Sequence, residues 1–185
     1  LGLAGCGANG FRGSTVVAPA EGFAVGADVS FLGEAEAAGV RFSADGRVRP
    51  GLELLRERGY GWVRLRLFHT PSAHRTALPN DLAYTLALAR EAKNRGFKVL
   101  LDFHYSDTWA DPAKQYPPAA WAGLEGAALA SAVHDYTRST VAAFYAAGVP
   151  PDVVQPGNEV IGGLLWPHGR LPGRWDEFVR LLRAG

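Results

Sequence analysis

Cysteine is almost missing from this chain and methionine is absent: Cys6 is the only thiol in 185 residues. A single cysteine excludes an internal disulfide, so any stability of the fold comes from packing and hydrogen bonding. Long apolar runs are missing too; no stretch approaches the roughly 18 residues of a bilayer-spanning helix. Nor is there an excess of one charge. Nineteen Lys and Arg stand against 18 Asp and Glu, which gives no electrostatic case for nucleic acid or an anionic membrane surface. Hydrophobic residues make up 48% and charged residues 20%, a globular balance that excludes general disorder. Aromatic residues are plentiful, with five Trp.

The chain begins at Leu1 rather than Met and stops at Gly185 soon after a helical pattern starts, so a longer protein is expected. Leu3-Ala4-Gly5-Cys6 resembles the tail of a bacterial lipoprotein signal, in which the Cys is lipidated. Cys6 is therefore a candidate lipid anchor, with an extracellular or cell-surface location expected. The alternative is a small-residue segment with an incidental Cys. Residues 7–22 are rich in Gly, Ala and Ser without a sustained period and read as a flexible tether. The expected division is thus 1–22, signal remnant and tether, and 23–185, the folded part.

From Phe23 onward short apolar runs alternate with helix-period segments, the pattern of βαβ units around a parallel sheet. Strands are expected at 23–28, 62–68, 97–104 and from 153. A loop with an Asp45-Gly46 turn and a short helix from Pro50 to Gly59 fall between the first two. Further helices are expected from about Pro79 to Gly96, with Leu82, Leu86 and Ala89 inward, and before Gly148, with Leu129, Val133, Tyr136, Thr140 and Phe144 inward. A last one begins near Trp175. Four βα units use up the chain, whereas a (β/α)8 barrel has eight and about 250 residues. Pattern alone leaves half a barrel and an open doubly wound sheet both standing, although no G-x-G-x-x-G loop supports a nucleotide-binding version.

Polar residues gather at the C-terminal ends of these strands: Asp28 and Ser30; Arg64 and Arg66, two apart and so on one face; Asp102, His104, Tyr105 and Asp107; Asn158 and Glu159. Each has a bland reading as a cap, a surface charge or a satisfied core group. Their concentration at successive strand ends favours one site, since parallel barrels build their sites there. Tyr105, Trp109, Tyr116, Trp121 and Trp166 lie in or beside the following loops. Flat rings of this kind stack on the C–H faces of sugars or pin long loops; Trp121, leading into a helix, is expected to do the latter.

The stretch Leu101-Asp102-Phe103-His104-Tyr105-Ser106-Asp107-Thr108-Trp109-Ala110-Asp111-Pro112-Ala113-Lys114-Gln115 closely resembles the third-strand signature of the glycoside hydrolase family that contains the arabinogalactan endo-β-1,4-galactanases. Gly26-Ala27-Asp28-Val29-Ser30, Val63-Arg64-Leu65-Arg66 and Asp152-Val153-Val154-Gln155-Pro156-Gly157-Asn158-Glu159 are similar to its first, second and fourth strands, and Leu165-Trp166-Pro167-His168-Gly169 to the next segment. The resemblance implies an α/β fold: a TIM (β/α)8 barrel, of which the first four units are present, and a retaining glycosidase. It implies Glu159 as general acid/base and Asn158 on the sugar hydroxyl beside the reacting carbon. Arg64 would support the nucleophilic carboxylate and Arg66 assist it, with His104 and Tyr105 beside the cleaved bond. Asp28, Asp102, Asp107, Trp109 and Trp166 are expected to bind substrate or support the site. Ala113 departs from the family's usual Gly, Phe68-His69 from Trp-Asn, and Pro156 from an apolar β residue.

Retaining hydrolysis uses two carboxyl groups roughly 5–5.5 Å apart, one protonating the leaving oxygen and the other attacking the sugar carbon. The family's nucleophile is a Glu ending the seventh strand. The only glutamate after Glu159 is Glu177, on a predicted helix, so these residues alone are expected to be inactive and poorly stable. The resemblance implies a galactan polysaccharide as partner, no cofactor, no metal in these residues, calcium in later loops for some bacterial members, and a monomer when complete. Two other readings stay open: a glycosidase of the same clan acting on another β-glycan, and a non-catalytic glycan-binding barrel.

Overall fold

The computed structural model describes residues 22–71 and 79–185. The candidate anchor Cys6, with Leu3–Gly5 and the tether up to residue 21, lies outside the described residues. In chain order the elements are β1 (Gly26–Asp28), α1 (Leu32–Ala37), β2 (Phe42–Ala44), β3 (Arg47–Arg49), α2 (Gly51–Glu57), β4 (Trp62–Leu67), α3 (Leu82–Asn94), β5 (Lys98–Phe103), α4 (Gly126–Ala146), β6 (Val153–Pro156), β7 (Gly163–Leu164), β8 (Gly169–Arg170) and α5 (Trp175–Ala184).

β1, β4, β5 and β6 form a four-stranded parallel sheet in that order. The spatial order follows the chain order without reversal. A doubly wound sheet reverses its order and carries helices on both faces; here the apolar sheet face and the helices share one core. Val63, Leu65, Leu67, Val99, Leu101 and Phe103 pack with Leu88, Ala89 and Ala92 of α3, Leu129, Val133 and Phe144 of α4, and Leu181 of α5. The other face carries Arg64, Arg66, Leu100 and Asp102. Strand alternation therefore separates an oily side from a polar one, which is the division of a barrel wall.

The four expected strands are present, the first cut to its last three residues, with Phe23 70% exposed outside it. Asp81 caps α3 by accepting from the Tyr84 amide at 2.8 Å. The buried stripe of α3 is Thr85, Leu88, Ala89 and Ala92; of the expected residues Ala89 is fully buried, and Leu82 and Leu86 pack partly buried against the core. Thr85 tolerates burial because its hydroxyl donates to the Arg66 carbonyl. In α4, Tyr136 packs partly buried on the core, against Phe103 and Trp121, and Thr137 beside it is buried as well, its hydroxyl bonding Tyr105.

The expected loop around Asp45-Gly46 is a β2–β3 hairpin. Both turn residues have positive φ, 52° and 74°, the two-residue geometry whose twist suits a hairpin. Pro156 ends β6 without breaking the ladder. Gly157 next to it donates to the Phe103 carbonyl, so the Pro156 nitrogen faces away from β5 and its missing N–H costs the β5–β6 ladder no bond. Among the described residues no helix is long and apolar enough to cross a membrane.

Candidate active site

Arg64 is the hub of the polar face. From β4 its Nη1 donates to Asp28 Oδ2 on β1 at 2.7 Å. Its Nη2 donates to Asp102 Oδ2 on β5 and to Asn158 Oδ1 just past β6, both at 2.6 Å. One guanidinium thus links all four strands. Arg66 Nη2 lies 2.9 Å from the same Asp28 oxygen, and the Ser30 hydroxyl and amide donate to Asp28 Oδ1 at 2.6 and 3.1 Å. Burial pushes the Asp28 carboxyl up, but the two Ser30 bonds and the two arginines outweigh it and hold it below the ordinary 3.8. Burial also lowers Arg66, and Asp28, Asp102 and Glu159 partly offset this by attraction. The Glu159 carboxylate therefore lies within electrostatic reach of Arg66.

Asn158 and Glu159 follow β6 directly. Asn158 is 2% exposed; its Nδ2 donates to the Ala110 carbonyl at 2.6 Å and its own carbonyl accepts from Gln115 Nε2 at 2.8 Å. Glu159 is exposed and left-handed, with φ 49° and ψ 46°, a conformation that costs a residue with a Cβ of the order of 1–2 kcal/mol. A strained backbone at a strand end is where a fixed direction for one side chain is worth that cost.

His104 lies on the polar face with its Nδ1 accepting from the Ala110 amide at 3.0 Å and its Nε2 3.3 Å from Asp102. Trp109 lies beneath Arg66, whose Cζ is 4.0 Å from the ring centroid, and stacks in parallel with Phe31 at 6.1 Å. A cation over one face leaves less of the indole open to a sugar.

The remaining expected residues brace loops. Tyr105, two residues past the end of β5 and left-handed with φ 48°, turns into the core, not onto the polar face. Its ring packs on Phe103, its hydroxyl bonds Thr137 at 2.8 Å, and burial pushes its phenol to about 12. Asp107 accepts from the amides of Thr70 and Ala119 and ties two loops together. Trp166 donates from Nε1 to the Gly162 carbonyl and lies under Arg170, while Trp121 is buried against His69 and Tyr136. Glu177 is on α5 and pairs with Arg180.

Three contributors escaped sequence reasoning. Gln115 ends the motif that resembles the family. Asn80, which donates to the Ser30 carbonyl at 2.7 Å, reads in sequence as a helix start. Ala110 acts only through its backbone and gives no side-chain signal. A hollow of about 710 Å³ between β1, α1, α2 and the hairpin is lined by Asp28, Ser30, Leu32, Phe42, Leu54 and Leu55, and Glu159 is not part of its lining. Among the described residues no three His, Cys, Asp or Glu side chains are grouped to hold a metal ion.

Residues 24–185 match glycosyl hydrolase family 53. The arabinogalactan endo-β-1,4-galactanase of Cellvibrio japonicus is 41% identical over 176 residues, covering 93% of this chain and 46% of its own. The protein of the same name from Humicola insolens is 39% identical, with 86% and 46% covered. A solved fungal β-1,4-galactanase superposes with a TM-score of 0.81 at 38% identity, over 87% of this chain and 47% of its own. The catalytic domain of an Ignisphaera aggregans member gives 0.81 at 37%, with 92% and 50% covered. The chain spans about half the length of the curated relatives it matches, and its four-stranded sheet is half of a (β/α)8 barrel. The chain belongs to glycosyl hydrolase family 53.

Proposed function

We propose that the full-length protein cleaves internal β-1,4-galactosidic bonds of (arabino)galactan with retention of configuration. Glu159 is the general acid/base, and a carboxylate from beyond Gly185 is the nucleophile. The observation that carries this reading is the position of Glu159 at the end of β6, next to an Asn158 held by Arg64. The similarity to galactanases over nearly the whole chain supports the substrate class.

The chemistry proceeds in two displacements. Protonated Glu159 gives its proton to the glycosidic oxygen as the second carboxylate attacks the sugar carbon, forming a glycosyl-enzyme. Glu159 then takes a proton from water, which releases the sugar. The free Nη1 hydrogen of Arg64 and the Arg66 guanidinium supply positive charge where the nucleophile must stay ionised. Export, with or without a lipid on Cys6, fits a polymeric substrate met outside the cell.

The test is hydrolysis by the full-length protein of β-1,4-galactan, β-mannan and cellulose, with the anomer first released read by proton NMR. Galactan turnover giving the β-anomer is expected, with Glu159→Gln slower by about 10²–10⁴-fold. The 185-residue chain alone is expected to be inactive. Turnover by that chain, or an inverted product, would sink the assignment of roles; turnover of mannan or cellulose alone would move the substrate.

A further inference from the structure

Asp102 is a carboxylate that this chemistry leaves unused. It sits on β5 with no exposed surface, Oδ2 accepting from Arg64 at 2.6 Å and facing His104 Nε2 at 3.3 Å. A charge so deeply buried is costly unless its donors are fixed.

Its neighbours are determined by their chemistry. A guanidinium only donates, so the Asn158 atom 2.6 Å from Arg64 Nη2 is the oxygen, and the amide nitrogen faces the Ala110 carbonyl. The Ala110 amide donates to His104 Nδ1, so the hydrogen of that ring sits on Nε2, which lies 3.3 Å from Asp102 Oδ2 without making a hydrogen bond to it. Both hydrogens of Arg64 Nη2 are then committed, one to Asp102 and one to Asn158. Without the first, nothing on β5 opposes the pull of Asp28 on the other side of the guanidinium.

We infer that Asp102 is a positioning residue, holding Arg64 so that the guanidinium keeps Asn158 in register beside Glu159. The inference rests on the proposed glycosidase reading. An amide cannot replace the carboxylate. In Asp102→Asn, a side chain with its oxygen at the Oδ2 position buries an NH2 at Oδ1, which has no hydrogen-bond partner among the described residues. Turned over, the NH2 meets Arg64 Nη2 and His104 Nε2–H, both donors. Either orientation strands a buried donor.

The experiment compares kcat and KM on β-1,4-galactan for full-length wild type, Asp102→Asn and Leu129→Ala, the last a core truncation on α4 remote from the site. Asp102→Asn is expected to lose about 100-fold in kcat, the scale of a misplacement near 1 Å, with KM nearly unchanged. Leu129→Ala is expected to melt earlier yet keep kcat. An Asp102→Asn enzyme with wild-type kcat overturns the inference. A crystal structure of Asp102→Asn decides independently of activity: the Arg64–Asn158 bond is expected to open, and its retention overturns the inference. Wild type inactive on every glycan would instead sink the glycosidase reading, leaving the crystal structure to judge the positioning. Should Asp102→Asn fail to fold, the wild-type ¹⁵N spectrum of His104 serves: the proton is expected on Nε2, and a proton on Nδ1 overturns the inference.

Discussion

The side-chain amide of Asn158 donates to the Ala110 carbonyl at 2.6 Å, closing the long loop after β5 onto the end of β6. Arg64 and Gln115 donate to the same residue. Asn158→Ala leaves an arginine and the Ala110 carbonyl short of partners in a buried place, while the Gln115 bond, which goes to the Asn158 backbone carbonyl, survives. The expected cost is about 3 kcal/mol, since each stranded buried group costs about 1–3 kcal/mol. Urea unfolding of the full-length protein measures it; an unchanged midpoint would show that the loop is held by other means.

Arg64 bridges four strands through a planar fork, and lysine cannot reproduce that. A single ammonium concentrates its donors at one point, whereas Asp28 and Asn158 are served by different nitrogens. Arg64→Met strands the buried Asp102 and is expected to cost about 3–5 kcal/mol, the range for breaking a buried ion pair from one side. Arg64→Lys is expected to recover part of that stability and little activity. Full kcat in Arg64→Lys, measured on galactan, would mean that charge alone suffices.

Much of this arrangement could be read from the residues. Arg64 and Arg66 two apart in an apolar strand announce a polar face, and Asn158-Glu159 after an apolar run announces a strand end. The α4 stripe was legible except at Thr137, whose inward place depends on Tyr105, a partner 32 residues away. The hairpin at Asp45-Gly46 was within reach, since Phe42-Ser43-Ala44 and Arg47-Val48-Arg49 flank a favoured hairpin turn. Ala110 was not: a residue that works through its amide and carbonyl looks like any other alanine. The turn of Tyr105 into the core was not legible, because it depends on a left-handed backbone just past the strand, and a tyrosine beside a histidine at a strand end reads as a site residue when only its neighbours are weighed.

His69 stands between loops, with Asp107 Oδ1 3.7 Å from its Nδ1 and the rings of Trp121 and Tyr136 around it. Burial pulls its pKa below the ordinary 6.5, and the Asp107 charge offsets only part of this. The folded protein thus binds this proton less readily than the unfolded chain, so stability is complete above about pH 6.5 and declines as pH falls below it. His69→Gln removes that contribution. Urea unfolding at several pH values from 8 to 5 is expected to show the stability difference between His69→Gln and wild type moving in favour of the variant as pH falls. A difference independent of pH would mean that His69 does not titrate differently on folding.

Gly163 opens the small β7–β8 ladder with φ 103°, and a Cβ built there would stand 2.1 Å from the Gly169 carbonyl oxygen and 2.8 Å from the Leu171 nitrogen. These are backbone atoms, so no rotamer change relieves the contact. The hairpin carries Trp166, whose amide donates to the Gln115 carbonyl, and Gln115 in turn supports Asn158. Gly163→Ala is therefore expected to lower stability by more than about 2 kcal/mol, combining clash with left-handed strain, and to reduce galactan turnover through that chain of contacts. Gly173 lies in the same segment with nothing within 4 Å of its built Cβ, and Gly173→Ala is expected to stay within about 0.5 kcal/mol of wild type. Thermal unfolding and turnover of both variants separate the cases. If Gly163→Ala loses stability but keeps full turnover, the hairpin holds the fold without holding Asn158, and the support of Asn158 rests on Arg64 and Ala110 alone.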